Sequence, residues 1–426
     1  MPWTTPAAPR SRLLAFALLL AAACGSLWAQ QPAPPATVDA ETVKALLQRV
    51  QDLESQLTAL KSQVQNLAGA KTAQPSRTEA APTAGAPDAM DSMSGHAGKD
   101  VSVPRLQIRG YGDVSGHADD QKGDTNAFAV GQLNLFMTSR LTDKASFLAE
   151  TVIEADSVTN EFGIEPERIL LLYGVRDWLN FSIGRYHTAI GYHNNAYHHS
   201  ALMQTTLERP FLFAFEDKGG ILPIHNVGVS ATGVISHRLG LHYVAEVGNG
   251  RAGRSVDVTS PVQNVTDDNN GKAVNLALFV RPSAVPGLQF GFSGYRDHVT
   301  PPAQAKITES IFAAHVVYQQ SRFEFLNEAV VLRHTAGMIP VTDNISAFYS
   351  QISRRWGNYR PYFRYEYMNV PRMDPLYSSV GLLHGPKTGL RYELSEFTAF
   401  KLEYGRDMRR GLPSVNRLGS QLAFEF

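Results

Sequence analysis

A chain of 426 residues with 39 basic and 39 acidic side chains carries no formal net charge. That balance removes any electrostatic reason to propose nucleic acid as a partner. Charged residues make up only 18%, while Phe, Trp and Tyr reach 10%, a composition rich in aromatics and poor in charge for a soluble protein of this length.

Arg10 and Arg12 precede an apolar run from Leu13 to Ala23, and small residues then lead to "SLWAQ". These are the basic, hydrophobic and cleavage regions of a secretory signal peptide over residues 1–29, with cleavage after Ala29. The run is too short to span a bilayer, which takes about 20 residues. The single cysteine, Cys24, lies inside this segment. Lipidation there is the alternative to cleavage after Ala29, although the alanines before Cys24 lack the usual bulky aliphatic three positions back. Cleavage leaves an exported chain with neither a disulfide framework nor thiolate chemistry.

Residues 30–42 form a Pro/Ala-rich lead-in. Over 43–67, Val43, Leu46, Val50, Leu53, Leu57, Leu60, Val64 and Leu67 alternate spacings of three and four. Such a seam cannot be buried by one helix alone and predicts a coiled-coil oligomerisation helix. Val at the first heptad position with Leu at the fourth favours two strands, and Leu47 widening the seam favours three, so dimer and trimer both stand. Residues 68–104 turn to Ala, Pro, Gly, Ser and Thr without periodicity, the composition of a flexible linker. Met90, Met93 and His96 within it offer soft-metal donors, but three donors on a tether read as spacer, and no metal is expected.

From Arg105 the period becomes two. "RLQIRGYGDV", "LQFGFSGY", "YRPYFRYEYMN" and "FKLEYG" each alternate apolar with polar side chains. Repeated segments of roughly ten residues, apolar on one face and separated by turns, predict an all-β transmembrane fold, an antiparallel outer-membrane β-barrel over 105–426. About sixteen strands can be counted, near 105–116, 126–141, 144–155, 166–175, 178–190, 226–236, 239–249, 272–282, 287–297, 307–320, 322–334, 344–355, 359–369, 378–394, 397–408 and 415–426. Short connections such as "LTDK" and "RWGN" alternate with longer ones, which assigns the short set to the periplasmic side. An even count puts both ends of the barrel on that side, where the coiled coil would hang. "LAFEF" ends on Phe426, a terminal aromatic like the membrane-insertion signal of outer-membrane barrels.

Signal peptide, heptads, linker, "IRGYGDVS" as first strand, "FSIGRYHTAIGY" before a long loop, and "LAFEF" at the end together resemble the phosphate-selective porin (O/P type) family. These are sixteen-stranded outer-membrane porins with an N-terminal coiled coil. The resemblance implies a homotrimeric, water-filled diffusion channel narrowed by its third extracellular loop, here 191–225. It also implies basic residues clustered on that loop. Here Arg209 and Lys218 are the only ones besides histidines, against Glu208, Glu216 and Asp217, so the solute stays open.

The polar strand faces should line water, because ions are expensive in hydrocarbon. The expected pore wall comprises Arg109, Asp113, Arg140, Glu150, Glu246, Arg281, Glu328, Arg360, Arg364, Glu366, Arg391 and Lys401, a mixed wall rather than a one-signed one. The loop holds "GYHNNAYHHSALMQTTLERP", three histidines within seven residues. His193, His198 and His199 do not share a helix or strand face, and no complementary ligand pattern completes a metal site. Ser200 and Thr205 beside histidines lack any motif of nucleophilic catalysis, so no catalytic residue and no cofactor are expected. The loop's apolar and aromatic content predicts that it folds into the barrel. The expected constriction is Tyr192, His193, Asn194, Asn195, His198, His199, Gln204 and Arg209, with imidazoles that would make the passage pH-sensitive.

The leading expectation is passive diffusion of small hydrophilic solutes or ions, anions among them, rather than an enzyme. The partners are outer-membrane lipid and two further copies of the chain, with no nucleic acid. The second reading is a structural envelope tether, its coiled coil crossing the periplasm towards peptidoglycan or a periplasmic partner. At 1.5 Å per residue the heptad helix would be about 37 Å long, enough to hold the barrel off but not clearly to reach the wall.

Overall fold

The computed structural model describes residues 105–156, 161–197, 201–215, 220–252, 267, 269–301, 306–336 and 341–426. The signal peptide, lead-in, heptads, linker, His198 and His199 lie outside these residues. Among the described residues sixteen strands form one closed barrel. They are β1 (Leu106–Asp119), β2 (Ala127–Arg140), β3 (Ala145–Asp156), β4 (Glu161–Arg176), β5 (Leu179–His187), β6 (His225–Ser236), β7 (Leu241–Gly248) and β8 (Ala273–Val280). The second half is β9 (Leu288–Val299), β10 (Ile307–Gln319), β11 (Phe323–Ala336), β12 (Val341–Arg354), β13 (Tyr359–Asn369), β14 (Leu382–Ser395), β15 (Thr398–Arg409) and β16 (Val415–Glu425).

Every strand pairs antiparallel with its neighbours in sequence, and β1 pairs with β16 to close the ring. At the seam Gly110 and Phe426 exchange backbone hydrogen bonds of 2.8 and 2.9 Å. A Cβ on Gly110 would overlap the Phe426 ring, so the terminal aromatic covers the bare backbone of the first strand. Closure leaves no unpaired edge, the condition for sheet in hydrocarbon. No described helix is long and apolar enough to cross a membrane; the crossing elements are strands.

The alternation read from the sequence sets the two faces. On β13, Phe363 points outward and exposed while Tyr362, Arg364 and Glu366 point inward and buried. On β11, Val331 is exposed while Glu324, Glu328 and His334 are buried inside. Exposed Trp178, Trp356, Tyr359 and Phe397 gather at the end carrying the short connections, as an interfacial aromatic girdle requires.

Two of the boundaries that differ from expectation have a local cause. β4 begins at Glu161, five residues before the position predicted from its apolar run. Pro166 interrupts the alternation, and the strand absorbs it in a bulge where Glu150 pairs with Arg168 and Thr151 with Pro166. The bulge turns Glu167 inward, where it meets His225 at 2.6 Å. β5 ends at His187 rather than near 190, because the Thr188 amide donates to the Ile224 carbonyl and the chain leaves the wall. Gly191, at φ +71°, then turns it inward against Glu328 and Phe213, where a Cβ would have no room.

Candidate functional site

The connection 188–224 between β5 and β6 enters the barrel and packs there. Its described residues include a short helix, α1 (His193–Ala196), and a 3-10 turn at Phe211–Phe213. Its Ile190, Tyr197, Leu212, Phe213, Ile221 and Leu222 form one core with inward-facing Val317, Leu326, Val330, Ile345, Tyr349 and Met368. The sequence reason is visible in β10 to β13, whose inward positions hold aliphatic residues between the charged ones.

Charged wall residues then hold the loop's backbone. Glu246 accepts the Ala189 amide at 3.1 Å, and Asn275 donates to the Ala189 carbonyl at 3.2 Å. Glu328 accepts the Tyr192 and His193 amides at 2.5 and 2.9 Å, together with the Tyr349 hydroxyl at 2.6 Å. Glu366 accepts the Phe211 amide and Glu403 the Leu207 amide. In the opposite sense, Arg364 donates to the Thr206 hydroxyl at 2.7 Å and to the Glu208 carbonyl at 2.8 Å. Arg391 donates to the Leu202 and Gln204 carbonyls, and Lys401 to those of Ala201 and Thr206. Each such bond to a charged group is worth about 1.5–3 kcal/mol, and burying one large apolar side chain is worth about the same. The loop's position therefore depends on both classes of contact.

The loop also runs deep. Tyr192 donates to Gln319, the last residue of β10, at 2.6 Å, and Gln319 donates to the Tyr197 hydroxyl. Thr205 donates to Glu324, the second residue of β11, at 3.0 Å. Both wall residues adjoin the 320–322 turn, so Tyr197 and Thr205 lie towards the short-turn end.

The predicted constriction residues divide. His193 is 2% exposed, stacked on Phe213 at 5.4 Å and beside Tyr197 and Tyr349. Burial, with Arg209 and Arg364 nearby, holds its imidazole well below the ordinary range. It is a neutral core residue and does not line water. Asn194 is buried too, donating to the Thr188 and Ile224 carbonyls. Gln204 is buried and Tyr192 half-buried, whereas Asn195 is exposed. Arg209 is half-buried, donating to the Phe213 carbonyl at 2.6 Å with its guanidinium 4.1 Å from the Phe215 ring centre. Met203 and Glu208 join Asn195 as exposed loop residues, and neither was anticipated. Lys387, 2.8 Å from Glu208, holds that carboxyl down to about 2.

The predicted wall residues divide as well. Glu246, Glu328, Glu366, Arg364, Arg391 and Lys401 are buried under the loop they hold. Arg360 donates weakly to the Thr205 hydroxyl, 3.4 Å away. Arg109, Arg140 and Arg281 sit at the short-turn ends of their strands; Arg140 pairs with Asp143 and Arg281 donates to Gln289. Asp113 and Glu150 face inward from β1 and β3, on the wall away from the loop's anchors. There Glu150 binds Arg168 and Asn134, Asp113 accepts from Gln132 and Gln421, and Arg185 pairs with Glu165. This wall is polar, mixed in sign and internally paired.

A second buried network was not foreseen. His334 sits between Glu309 at 2.9 Å and Asp374 at 2.8 Å, and Arg251 meets Glu309 at 3.1 Å. Asp374 also accepts the Leu376 and Tyr377 amides, so the network clasps the connection 370–381 to the inner wall. Its members come from β10, β11 and two loops, a convergence that no local spacing records. Among the described residues no cluster of three or more His, Cys, Asp or Glu side chains is arranged to hold a metal ion.

No protein-family model and no curated relative matches the sequence. Solved structures do resemble it. The anion-selective porin from Comamonas acidovorans aligns at a TM-score of 0.55 and 10% identity, over 76% of this chain and 100% of that one. The outer-membrane channel DcaP of Acinetobacter baumannii aligns at 0.55 and 11% identity, over 77% and 99%. The outer-membrane protein OmpT of Vibrio cholerae, in a trimer form, aligns at 0.51 and 11% identity, over 76% and 100%. Identities this low speak for fold alone: the chain has the closed sixteen-stranded antiparallel barrel of the outer-membrane porins.

Proposed function

We propose that the protein is an outer-membrane porin through which small hydrophilic solutes and ions diffuse passively. The observation that carries this reading is the strapped loop inside the barrel, where Asn195, Met203 and Glu208 are exposed. A membrane anchor needs a closed barrel as much as a channel does, but it has no use for an internal loop held by carboxylates and guanidinium groups from five of its strands. In this reading the passage runs between the loop and the inner wall of β1 to β5. Arg209, His198 and His199 belong to the loop's contribution. Asp113, Glu150, Arg168 and Arg185 supply that of the wall.

The mixed wall argues for weak charge selectivity. Arg364, Arg391 and Lys401, the cations most suited to attract anions, spend their donors on loop oxygens and, for the two arginines, on Glu366 and Glu393 of the wall. Phosphate selectivity, as the family resemblance would imply, therefore has little support from the loop, while general diffusion of small anions and cations has more. The heptads of 43–67 fit a periplasmic oligomerisation helix behind a cleaved signal peptide. The trimer form of the Vibrio cholerae protein supports a homotrimer embedded in outer-membrane lipid. Phe426, sealing β16 against Gly110, fits a role in membrane insertion.

Single-channel recording in a planar bilayer, with ion substitution, tests the proposal. Conductance steps in threes with weak ion preference are expected. Folded protein that never conducts would overturn the channel and favour the envelope tether.

A further inference from the structure

Resting on the reading of the chain as an outer-membrane barrel, we propose that its short-turn rim carries a binding site for the phosphate of an anionic phospholipid headgroup. The site lies between the β10–β11 and β12–β13 turns. A cavity of about 480 Å³ there is lined by Arg322, Phe323, Arg354, Arg355, Trp356 and Gly357, a size within the roughly 300–1,000 Å³ of small-ligand sites.

Three features point to a lipid rather than a solute in the pore. Arg354 ends β12 in the same outward alternation as exposed Phe348 and Ile352, and it pairs in register with Phe323. Its side chain thus stands on the lipid side of the wall. Trp356, 54% exposed, sits in the aromatic girdle with Tyr359, and the Arg354 guanidinium lies 5.2 Å from its ring centre. Trp at that position marks headgroup depth. The two turns are tied together, the Arg355 amide donating to the Arg322 carbonyl at 2.8 Å, so the cluster is fixed rather than assembled on binding.

The charge is also uncompensated. Among the described residues no carboxylate pairs with Arg322, Arg354 or Arg355; the Arg355 guanidinium donates to the Gly357 carbonyl, at 2.8 Å. The adjacent carboxylate, Glu324, is turned into the lumen and engaged by Gln351 and Thr205. At the β2–β3 turn, by contrast, Arg140 has Asp143 at 3.0 Å. Guanidinium forks suit phosphate oxygens, Phe323 and Trp356 offer apolar surface to glycerol and acyl carbons, and the phospholipid leaflet lies on this side of the barrel.

The test is native mass spectrometry of the whole protein released from nanodiscs of equal phosphatidylglycerol and phosphatidylcholine. The R322Q/R354Q/R355Q triple variant is compared with R238Q at another turn, and channel conductance is recorded on the same preparations. Wild type and R238Q should retain phosphatidylglycerol over phosphatidylcholine by roughly fivefold or more, and the triple variant should fall to the bulk ratio. Equal retention of both lipids by the wild type, or unchanged enrichment in the triple variant, would overturn the site. Loss of enrichment on adding millimolar inorganic phosphate would reassign it to free phosphate. A conducting wild type without enrichment defeats the headgroup site alone, whereas enrichment without conductance defeats the channel and leaves the site standing.

Discussion

The carboxylate of Glu328 accepts the backbone amide of His193 at 2.9 Å, although the two residues are 135 apart in the chain. The same carboxylate takes the Tyr192 amide and the Tyr349 hydroxyl, so one wall residue fixes the first turn of the loop inside the barrel. Glu328→Ala removes all three hydrogen bonds and leaves two buried amides unpaired. A loss of about 3 kcal/mol is expected, read by urea unfolding in detergent micelles. Protease sensitivity within 188–224 and noisier, larger conductance steps should accompany it.

The pH response should not come from His193. Its imidazole is held well below the ordinary value by burial, so it is neutral in the folded protein at neutral pH. Below the unfolded value of about 6.5 the unfolded chain gains a proton that folded His193 refuses. Its contribution to stability is therefore complete above that pH and is lost as the pH falls. Conductance of His193→Gln between pH 5 and 8 should follow the wild-type profile. A wild-type pH step that this substitution abolishes would contradict its burial.

Glu208 behaves differently because it is exposed on the loop. With its carboxyl held down to about 2 by Lys387, it remains charged until strongly acidic pH. Its contribution to stability is present above the unfolded carboxylate value of about 4.3 and lost as the pH falls towards 2. Glu208→Gln should move ion preference towards anions at neutral pH, measured as a reversal-potential shift in a salt gradient. The shift should shrink to about half as the pH falls to about 2, where wild-type Glu208 is half protonated.

Breaking the second clasp should release the other internal connection. Asp374→Ala leaves His334 with Glu309 alone and frees the Leu376 and Tyr377 amides. Removing one partner of a buried ion pair costs about 3–5 kcal/mol, and new proteolytic sites should appear within 370–381. An unchanged cleavage pattern would show that Leu376 and Tyr377 hold that segment unaided.

Much of this architecture was legible because barrel strands obey a local rule. On β13 the alternation alone separated Phe363 and Tyr365 from Arg364 and Glu366, and burial follows that division. Pro166 hid the start of β4, since a bulge breaks the period by which strands are recognised. The loop's inward course followed from its aromatic content, but the use of its polar residues did not. His193 and Asn194 read as channel groups because they are polar, and whether a polar side chain meets water or a packed ring depends on residues over a hundred positions away. Glu309, His334 and Asp374 were missed for the same reason: each looks like an isolated charge in its own strand or loop.

The central claim, a water-filled passage beside the internal loop, is tested most directly by chemical modification during single-channel recording. Met203 is 42% exposed on the loop, and Phe292 is 52% exposed on the outer face of β9. A negatively charged methanethiosulfonate should lower the conductance of Met203→Cys and leave that of Phe292→Cys unchanged. Equal responses from the two variants, or no conductance from either unmodified protein, would contradict the account.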